Sequence, residues 1–429
     1  MKISTATPLS RWTIFAFSIL IFLIIGISSG KEWYASRLED SSQPADWLRA
    51  AQMEPRNGDY WFKVALNREW SLDTGDTNAT LDYFRKAAAI DPRSAIYWME
   101  LADAYESAGQ LDAARDAHLK ALAVYPASAE VHWRYGSFLL RQQELQAGYR
   151  EIHLALSTQP SLIPLAISRV WPATQDADAM LNSVLPDNEE AHTQALQWFC
   201  EQKLTDPALM VWKRMTSSRR PLPIGTVFPL ETLLIEGGRS DDARTVWREA
   251  LTASGKSAEA QSSDSLVFNG GFEFDPVNGG LDWHLERMLG ARYDYDAAEP
   301  HGGRRALRIS FDGGQNLNFQ GVWQIIPVRP NTRYHFEGYL RTAGITTDSG
   351  IRFLIYFIGG NQPSLTLPDL TGDHPWEAQR ADFTTGPGVE FIRVTLYRAA
   401  SERFSNKIGG TAWVDDVSLL SAETARQKP

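Results

Sequence analysis

The stretch SAIYWMELADAYESAGQLDAARDAHLKALAVYPAS, residues 94–128, decides the fold of the N-terminal half. Gly109 interrupts a first helical pattern, and a second pattern follows it and ends at Pro126. The first pattern has apolar residues at steps of three and four, which share one helical face: Trp98, Leu101, Ala102 and Tyr105. The stretch therefore predicts two short helices joined by a tight turn.

Prolines recur at a constant interval around this stretch. Pro92, Pro126 and Pro160 lie 34 residues apart in turn, which is the length of a tetratricopeptide unit. The Trp, Leu, Ala, Tyr and Pro positions also resemble that repeat family. The resemblance implies helix pairs that stack on their neighbours and form a docking scaffold for proteins.

Less regular copies extend the pattern towards residue 255. DPALMVWKRM begins at Asp206, and DDARTVWREA begins 35 residues later at Asp241. We therefore predict one tetratricopeptide-like helical solenoid over residues 44–255. Helical periodicity places the repeated tryptophans in its core: Trp61, Trp98, Trp133, Trp212 and Trp247.

Residues 12–30, WTIFAFSILIFLIIGISSG, carry no charge and are nearly long enough to span a membrane. The apolar run exceeds that of a typical signal peptide, so we predict an uncleaved transmembrane signal anchor. The preceding tail, residues 1–11, is the more basic flank and should stay cytoplasmic. This predicts a single-pass protein of the inner (cytoplasmic) membrane, with its bulk periplasmic or extracellular. Cleavage near Ser28 or Gly30 is the alternative.

The composition restricts the function classes. Among 429 residues the formal net charge is −10, which argues against nucleic acid as a main partner. A single cysteine, Cys200, allows no intramolecular disulfide. The sequence contains no phosphate-binding loop, nucleophile elbow or zinc-spaced cluster, so we predict a protein that is not an enzyme.

The periodicity changes from helical to alternating after a small, polar linker at residues 256–263. Segments such as RYHFEGYLR (333–341) and FIRVTLYR (391–398) alternate apolar and polar residues between Gly, Pro and Asn clusters. We predict an antiparallel β-sandwich over residues 264–421, followed by a tail at 422–429.

Three segments of this domain resemble the jelly-roll carbohydrate-binding modules of CenC-like type. In order they are LVFNGGFE (266–273), VWQIIPVRPNTRYHFEGYLRT (322–342) and AWVDDVSLL (412–420). The resemblance implies a jelly roll with a polysaccharide ligand. It also implies a structural calcium ion held by Glu273, Asp415 and Asp416. Alternatively, these acids cap turns or pair with arginine.

Strand alternation predicts which side chains could contact a sugar. Aromatic rings stack on sugar C–H surfaces, and arginine offers paired donors. From Asp264 onward the chain has 14 Arg and 2 Lys, a bias that would suit acidic glycans. If this surface does not pack on the helical domain, the outward residues form a binding platform: Trp323, Tyr339, Arg341, Arg352, Tyr356, Arg393 and Tyr397.

The predicted fold class is multidomain, with an N-terminal transmembrane helix, an all-α solenoid and an all-β jelly roll. This arrangement resembles bacterial envelope proteins and indicates an adaptor that joins an envelope protein partner to a polysaccharide, in exopolysaccharide assembly or export. A purely structural protein–protein scaffold is the alternative. A glycan-active enzyme is a third reading, and it would require a carboxylate pair across a cleft.

Overall fold

The computed structural model describes residues 8–41, 43–70, 77–218, 220–256 and 264–422. Cα packing divides the chain into two compact units, Met1–Pro186 and Asp187–Pro429. Apart from Lys256 and Ala422, the predicted linker and C-terminal tail fall outside the described residues, as does most of the predicted cytoplasmic tail.

The first unit consists of helices joined by short turns over its described residues. A 3₁₀ turn, Pro160–Leu162, precedes α9, and a π-helical turn, Met180–Val184, follows α10. The helices are α1 Pro8–Glu39, α2 Pro44–Met53, α3 Gly58–Trp70, α4 Thr77–Ile90, α5 Ala95–Ser107, α6 Leu111–Val124, α7 Ala129–Arg141, α8 Leu145–Thr158, α9 Ile163–Thr174 and α10 Ala177–Ala179.

The predicted repeats are present as the pairs α3–α4, α5–α6 and α7–α8. Trp61 is buried as expected, and Trp98 packs half-buried against the same core. The expectation that Trp133 is a core residue is wrong, because it is only half-buried on α7. The preceding residue, His132, takes the inner position and lies 2.8 Å from the carbonyl oxygen of Pro126.

Helix α1 is the one described helix long and apolar enough to cross a membrane. It continues well beyond the predicted span and ends at Glu39. Its last turns pack against the first repeat, where Ala35 is fully buried in a cluster with residues of α2 to α4. The apolar segment and the first repeat are therefore joined by a continuous helix.

The second unit begins with four helices and a 3₁₀ turn, Ile224–Val227. The two helical segments predicted to begin at Asp206 and Asp241 are confirmed, because Trp212 and Trp247 are both buried on helices. Trp247 also meets Phe268 edge-on, with ring centroids 5.8 Å apart. These helices belong to the same compact unit as the strands: α11 Glu189–Glu201, α12 Thr205–Ser217, α13 Phe228–Glu236 and α14 Ser240–Ala253.

The predicted sandwich is confirmed as two five-stranded antiparallel sheets. Their strand orders are β1-β4-β9-β6-β7 and β2-β3-β10-β5-β8, so most neighbouring strands are not consecutive in sequence. The strands are β1 His284–Leu285, β2 Ala291–Asp296, β3 Ala306–Asp312, β4 Phe319–Pro327, β5 Arg333–Ile345, β6 Arg352–Ile358, β7 Leu365–Thr366, β8 Gly372–Thr384, β9 Phe391–Arg398 and β10 Gly409–Ser421.

Alternation sets the core between the two sheets, as predicted. On β9 the side chains of Ile392, Val394 and Leu396 are fully buried. They pack with those of Phe336 and Leu340 on β5, which belongs to the opposite sheet. Because the side-chain period is two, the intervening residues of each strand point to the outer faces.

Candidate functional site

Eight neighbouring side chains on the outer face of the β1-β4-β9-β6-β7 sheet form a surface that is here called the aromatic face. Directly paired residues of neighbouring strands point to the same face. Trp323 pairs with Thr395, and Arg393 pairs with Tyr356. The eight are His284, Trp323, Arg352, Leu354, Tyr356, Arg393, Thr395 and Tyr397. They include five of the seven predicted sugar-contacting residues.

Trp323 points outward as predicted, but its ring is enclosed. The His284 ring stacks on it at 3.7 Å, and the Arg393 guanidinium lies 4.3 Å from its centroid. These two groups cannot occupy the same side of the ring, so both faces are covered. The indole N–H donates to Glu286 Oε1 at 2.7 Å. Trp323 therefore builds the face and has no open surface for stacking.

Tyr356 and Tyr397 are half-exposed, and neither ring makes a stacking or cation–π contact among the described residues. Tyr356 lies opposite Arg393, and Tyr397 lies opposite Arg352. Four residues along a strand span about 13 Å, which sets their separation in the strand direction. Two flat rings at this spacing can contact successive parts of an extended ligand.

Between the tyrosines, the face carries buried polar atoms without a protein partner among the described residues. They are Thr395 Oγ1, Arg352 Nε and Arg393 Nε. Thr395 points outward but is fully buried between Trp323 and Leu354. Unpaired buried polar groups carry a free-energy penalty that a bound hydroxyl group or water would relieve.

The net charge of the aromatic face is close to neutral. Arg352 pairs with Asp369 at 3.0 Å. Burial lowers the pKa of Arg393, and the nearby carboxylate of Glu286 opposes that shift. Other arginines of the sandwich are also in ion pairs, among them Arg305–Asp275, Arg308–Asp294, Arg380–Glu337 and Arg403–Asp348. The arginine excess therefore does not create an open basic surface here.

The other two predicted sugar contacts lie elsewhere. Tyr339 and Arg341 belong to β5 in the second sheet, whose outer face points away from the first. The Tyr339 ring stacks on His301 at 3.6 Å. Arg341 pairs with Glu299 and lies 4.7 Å over the Trp413 ring. The seven residues thus form no single platform, because the sequence alternation does not reveal which sheet a strand joins.

The three predicted calcium ligands converge around Gly271. A Cβ atom built there would lie 3.5 Å from Asp416 Oδ1 and 3.7 Å from Asp415 Oδ1. The third acid, Glu273, would be 3.8 Å away at its Cγ atom. The beginning of the sandwich, near Gly271, therefore lies beside its last strand, β10, as the resemblance implies.

Protein donors occupy these carboxylates. Glu273 accepts from the backbone and guanidinium N–H groups of Arg304, which lower its pKa although burial opposes the shift. Asp415 accepts from the N–H groups of His301 and Gly302, yet burial raises its pKa to about 6. Among the described residues, no three His, Cys, Asp or Glu side chains are arranged to hold a metal ion. These bonds match the alternative in which the acids cap turns or pair with arginine, and the calcium site stays a prediction.

The helical repeats form a second candidate site in the first unit. A groove of about 470 Å³ lies along α5, α7 and α9. Arg134 pairs there with Glu100 and Asp103, and Arg141 pairs with Glu106. The groove is lined by Asp103, Glu106, Ser107, Trp133, Arg134, Ser137, Arg141 and Arg169. Its mixed charges and indole ring are suited to a polypeptide.

Sequence reasoning missed several parts of the aromatic face. His284 lies in a two-residue strand, which is too short to show alternation. Glu286 and Asp369 come from loops beside the sheet, and their contacts with Trp323 and Arg352 depend on the folded topology. Alternation on β9 places Thr395 on the outer face, as found, but its complete burial could not be predicted.

The tetratricopeptide-repeat family model matches residues 97–138. No curated protein matches the chain. The helical region resembles the tetratricopeptide protein YrrB, "with an unusual peptide-binding site", at 13% identity over 50% of this chain and 95% of that one, with a TM-score of 0.25.

The sandwich resembles solved carbohydrate-binding modules. One is the CBM22-1 xylan-binding domain of Paenibacillus barcinonensis Xyn10C, at 14% identity over 35% of this chain and 91% of that domain, with a TM-score of 0.27. Another is the family 16 carbohydrate-binding module 2, at 19% identity over 36% of this chain and 99% of that module, with a TM-score of 0.26.

Proposed function

We propose that this chain is a non-enzymatic, membrane-anchored adaptor of the bacterial envelope that holds a neutral polysaccharide on its aromatic face. The observation that carries the proposal is the combination of two half-exposed rings, Tyr356 and Tyr397, with the buried hydroxyl of Thr395 between them, which has no partner among the described residues. Rings supply stacking surface, and the hydroxyl and guanidinium groups supply hydrogen bonds that fix orientation.

A neutral ligand is favoured over an acidic one. Asp369 already neutralises Arg352, and Glu286 lies beside Arg393. An additional ligand carboxylate would bring a third negative charge to a face that contains only two arginines. Sugar hydroxyl groups, in contrast, can accept from the free Nε–H groups without adding charge.

The length of α1 supports a membrane anchor. Trp12 and Trp33 are both exposed and lie 21 residues apart on one continuous helix. That separation is about 31 Å, close to the hydrocarbon thickness of a bilayer. Tryptophan is favoured at both interfaces, so the two residues would mark the ends of the span. The more basic N-terminal flank would stay in the cytoplasm, and the repeats and sandwich would be exported.

The groove along α5, α7 and α9 would receive an envelope protein partner. Trp133 offers an apolar surface, with the Arg169 guanidinium 5.7 Å from its ring centroid. The ion pairs of Arg134 and Arg141 with carboxylates of α5 keep these charges paired whether or not a partner is bound. Polysaccharide assembly or export would then bring both partners to one membrane site.

The surroundings of the aromatic face favour binding over hydrolysis. Its neighbouring carboxylates both act as acceptors within the protein: Glu286 for the Trp323 indole, and Asp369 for the Gly350 backbone and Arg352. A glycoside hydrolase needs one protonated and one free carboxyl group on opposite sides of the bond. Both carboxylates already accept hydrogen bonds within the protein, so neither is free to act as the acid or the base.

The direct test is a glycan array probed with the full chain in detergent, carrying both neutral and uronate-containing polysaccharides. We expect retention on neutral glycans, unchanged by a calcium chelator. Preference for uronate-containing glycans would contradict the neutral assignment. Retention on no glycan would contradict polysaccharide binding and would favour the alternative of a structural scaffold whose sandwich contacts only protein.

A further inference from the structure

A second pocket lies beside α1 at the level where the apolar span ends. It measures about 410 Å³ and is formed within the first unit. One wall is a single face of α1, with Ile24, Ile27, Ser28 and Lys31 at helical spacing. The other wall is the last residue of α2 and the turn that follows it, residues 53–56. We call it the interfacial pocket.

The helix axis gives the depth of each group. Lys31 comes two residues before the exposed Trp33, which would lie in the interfacial aromatic belt. Ile27 and Ile24 are about 6 and 10 Å further towards the apolar end of the helix. The pocket therefore has a charged end at headgroup level and an apolar end at the level of acyl chains.

Three charged side chains face this pocket without protein partners. Lys31, Glu54 and Arg56 form no ion pair or side-chain hydrogen bond among the described residues. The nearby Lys63, by comparison, pairs with Glu39 at 3.5 Å. Two free cations and one free carboxylate match a headgroup that carries both a phosphate and an ammonium group.

We propose that the interfacial pocket binds a phospholipid with a primary ammonium headgroup, such as an ethanolamine phospholipid. The phosphate lies against Lys31 and Arg56, and the ammonium donates to Glu54. An acyl chain follows Ile24 and Ile27. This inference rests on the proposed membrane anchor and is independent of glycan binding. The site would fix the first repeat against the membrane surface.

The test is native mass spectrometry of the full chain released from bilayers of ethanolamine, choline and glycerol phospholipids in equal amounts. We expect the ethanolamine lipid to be retained preferentially. Replacing both cations (Lys31→Ala with Arg56→Ala) should reduce lipid retention about thirtyfold, because each surface cation contributes roughly a fivefold factor. Glu54→Ala should keep the lipid but abolish the preference for ethanolamine over choline.

The chain supplies a matched control. The turn after α4 repeats the acid–Pro–Arg order at Asp91, Pro92 and Arg93, which do not line the pocket. Asp91→Ala with Arg93→Ala should leave lipid retention unchanged. Equal loss in this control, preference for the anionic glycerol lipid, or no preference at all would overturn the proposal.

Carbonate extraction separates failure of this site from failure of the anchor. A chain that resists extraction but shows no lipid preference has the anchor without the site. A chain that is extracted lacks the anchor, and the lipid site is overturned with it.

Discussion

The indole Nε1–H of Trp98 donates to the carbonyl oxygen of Pro92 at 2.9 Å. The preceding repeat has the same bond, from Trp61 to Pro55 at 3.2 Å. Each proline ends one helix pair, and the tryptophan six residues later begins the next. The bond therefore joins successive repeats and gives a physical reason for the recurrence of both residues.

Removing this bond should loosen the junction locally. Trp98→Phe keeps most of the apolar surface but loses the donor, and we expect about 1 kcal/mol of destabilisation. Hydrogen exchange of the α5 amides would then accelerate about fivefold. Trp133→Phe is the matched control, because Trp133 donates no hydrogen bond among the described residues. Equal acceleration in both variants would contradict a role for the Trp98 bond.

His118 should make the repeats sensitive to acid. Its ring is fully buried between Tyr135 and Phe138, neither nitrogen has a partner among the described residues, and burial lowers its pKa to about 4. The stability gained from the neutral ring is complete above pH 6.5 and is lost as pH falls through 4, amounting to about 3 kcal/mol by pH 4.

His118→Leu removes this titration. Urea unfolding, followed by a probe of the first unit at pH 7 and pH 4.5, should show a smaller acid loss in the variant than in the wild type. An identical loss in the two proteins would assign the acid sensitivity to other groups.

Glu231 should destabilise the second unit as pH rises. It is fully buried on α13, neither carboxylate oxygen has a partner among the described residues, and burial raises its pKa. A raised pKa means that stability is complete below the unfolded value and is lost as pH increases. Glu231→Met should therefore raise the melting temperature, and the gain should be larger at pH 8 than at pH 5.

The exposed Glu236 on the same helix provides the control. It pairs with Lys203 at the surface, so Glu236→Met should change the melting temperature little at either pH. A gain for Glu231→Met that does not depend on pH would show that packing, and not the carboxylate, is responsible.

Arg398 should be a structural requirement of the sandwich. It is fully buried, and its guanidinium donates to atoms from several loops: Ser349 O, Asn316 Oδ1, Leu317 O, Thr347 Oγ1 and Asn406 O. Arg398→Met leaves these acceptors unpaired and should destabilise the unit by about 3–5 kcal/mol. Arg403→Met, in the exposed loop nearby, should cost less than about 1 kcal/mol by thermal unfolding.

The fold was largely predictable because its signals are local. The 34-residue proline interval can be read directly from the chain, and the buried Ile392, Val394 and Leu396 follow from strand alternation. The helices of the second unit were also predicted. Their packing on the sandwich through Trp247 could not be, because nothing near that residue marks Phe268 as its neighbour.

The site was only partly predictable. Alternation correctly identified the outward residues Trp323, Tyr356 and Tyr397 but could not assign strands to sheets, so Tyr339 was grouped with them. The enclosure of Trp323 by His284 and Arg393 depends on strand pairing between segments far apart in sequence. Arginine composition indicated an acidic ligand, whereas the folded chain pairs many of those arginines with carboxylates of its own.

The most direct measurement is the affinity of the full chain for the neutral polysaccharide that it retains best, before and after Tyr356→Ala with Tyr397→Ala. Two lost stacking contacts should weaken binding at least tenfold. Tyr339→Ala, on the other sheet, should change the affinity less than twofold. Unchanged binding by the double variant, or equal loss in the Tyr339 control, would contradict the assignment of the aromatic face as the glycan site.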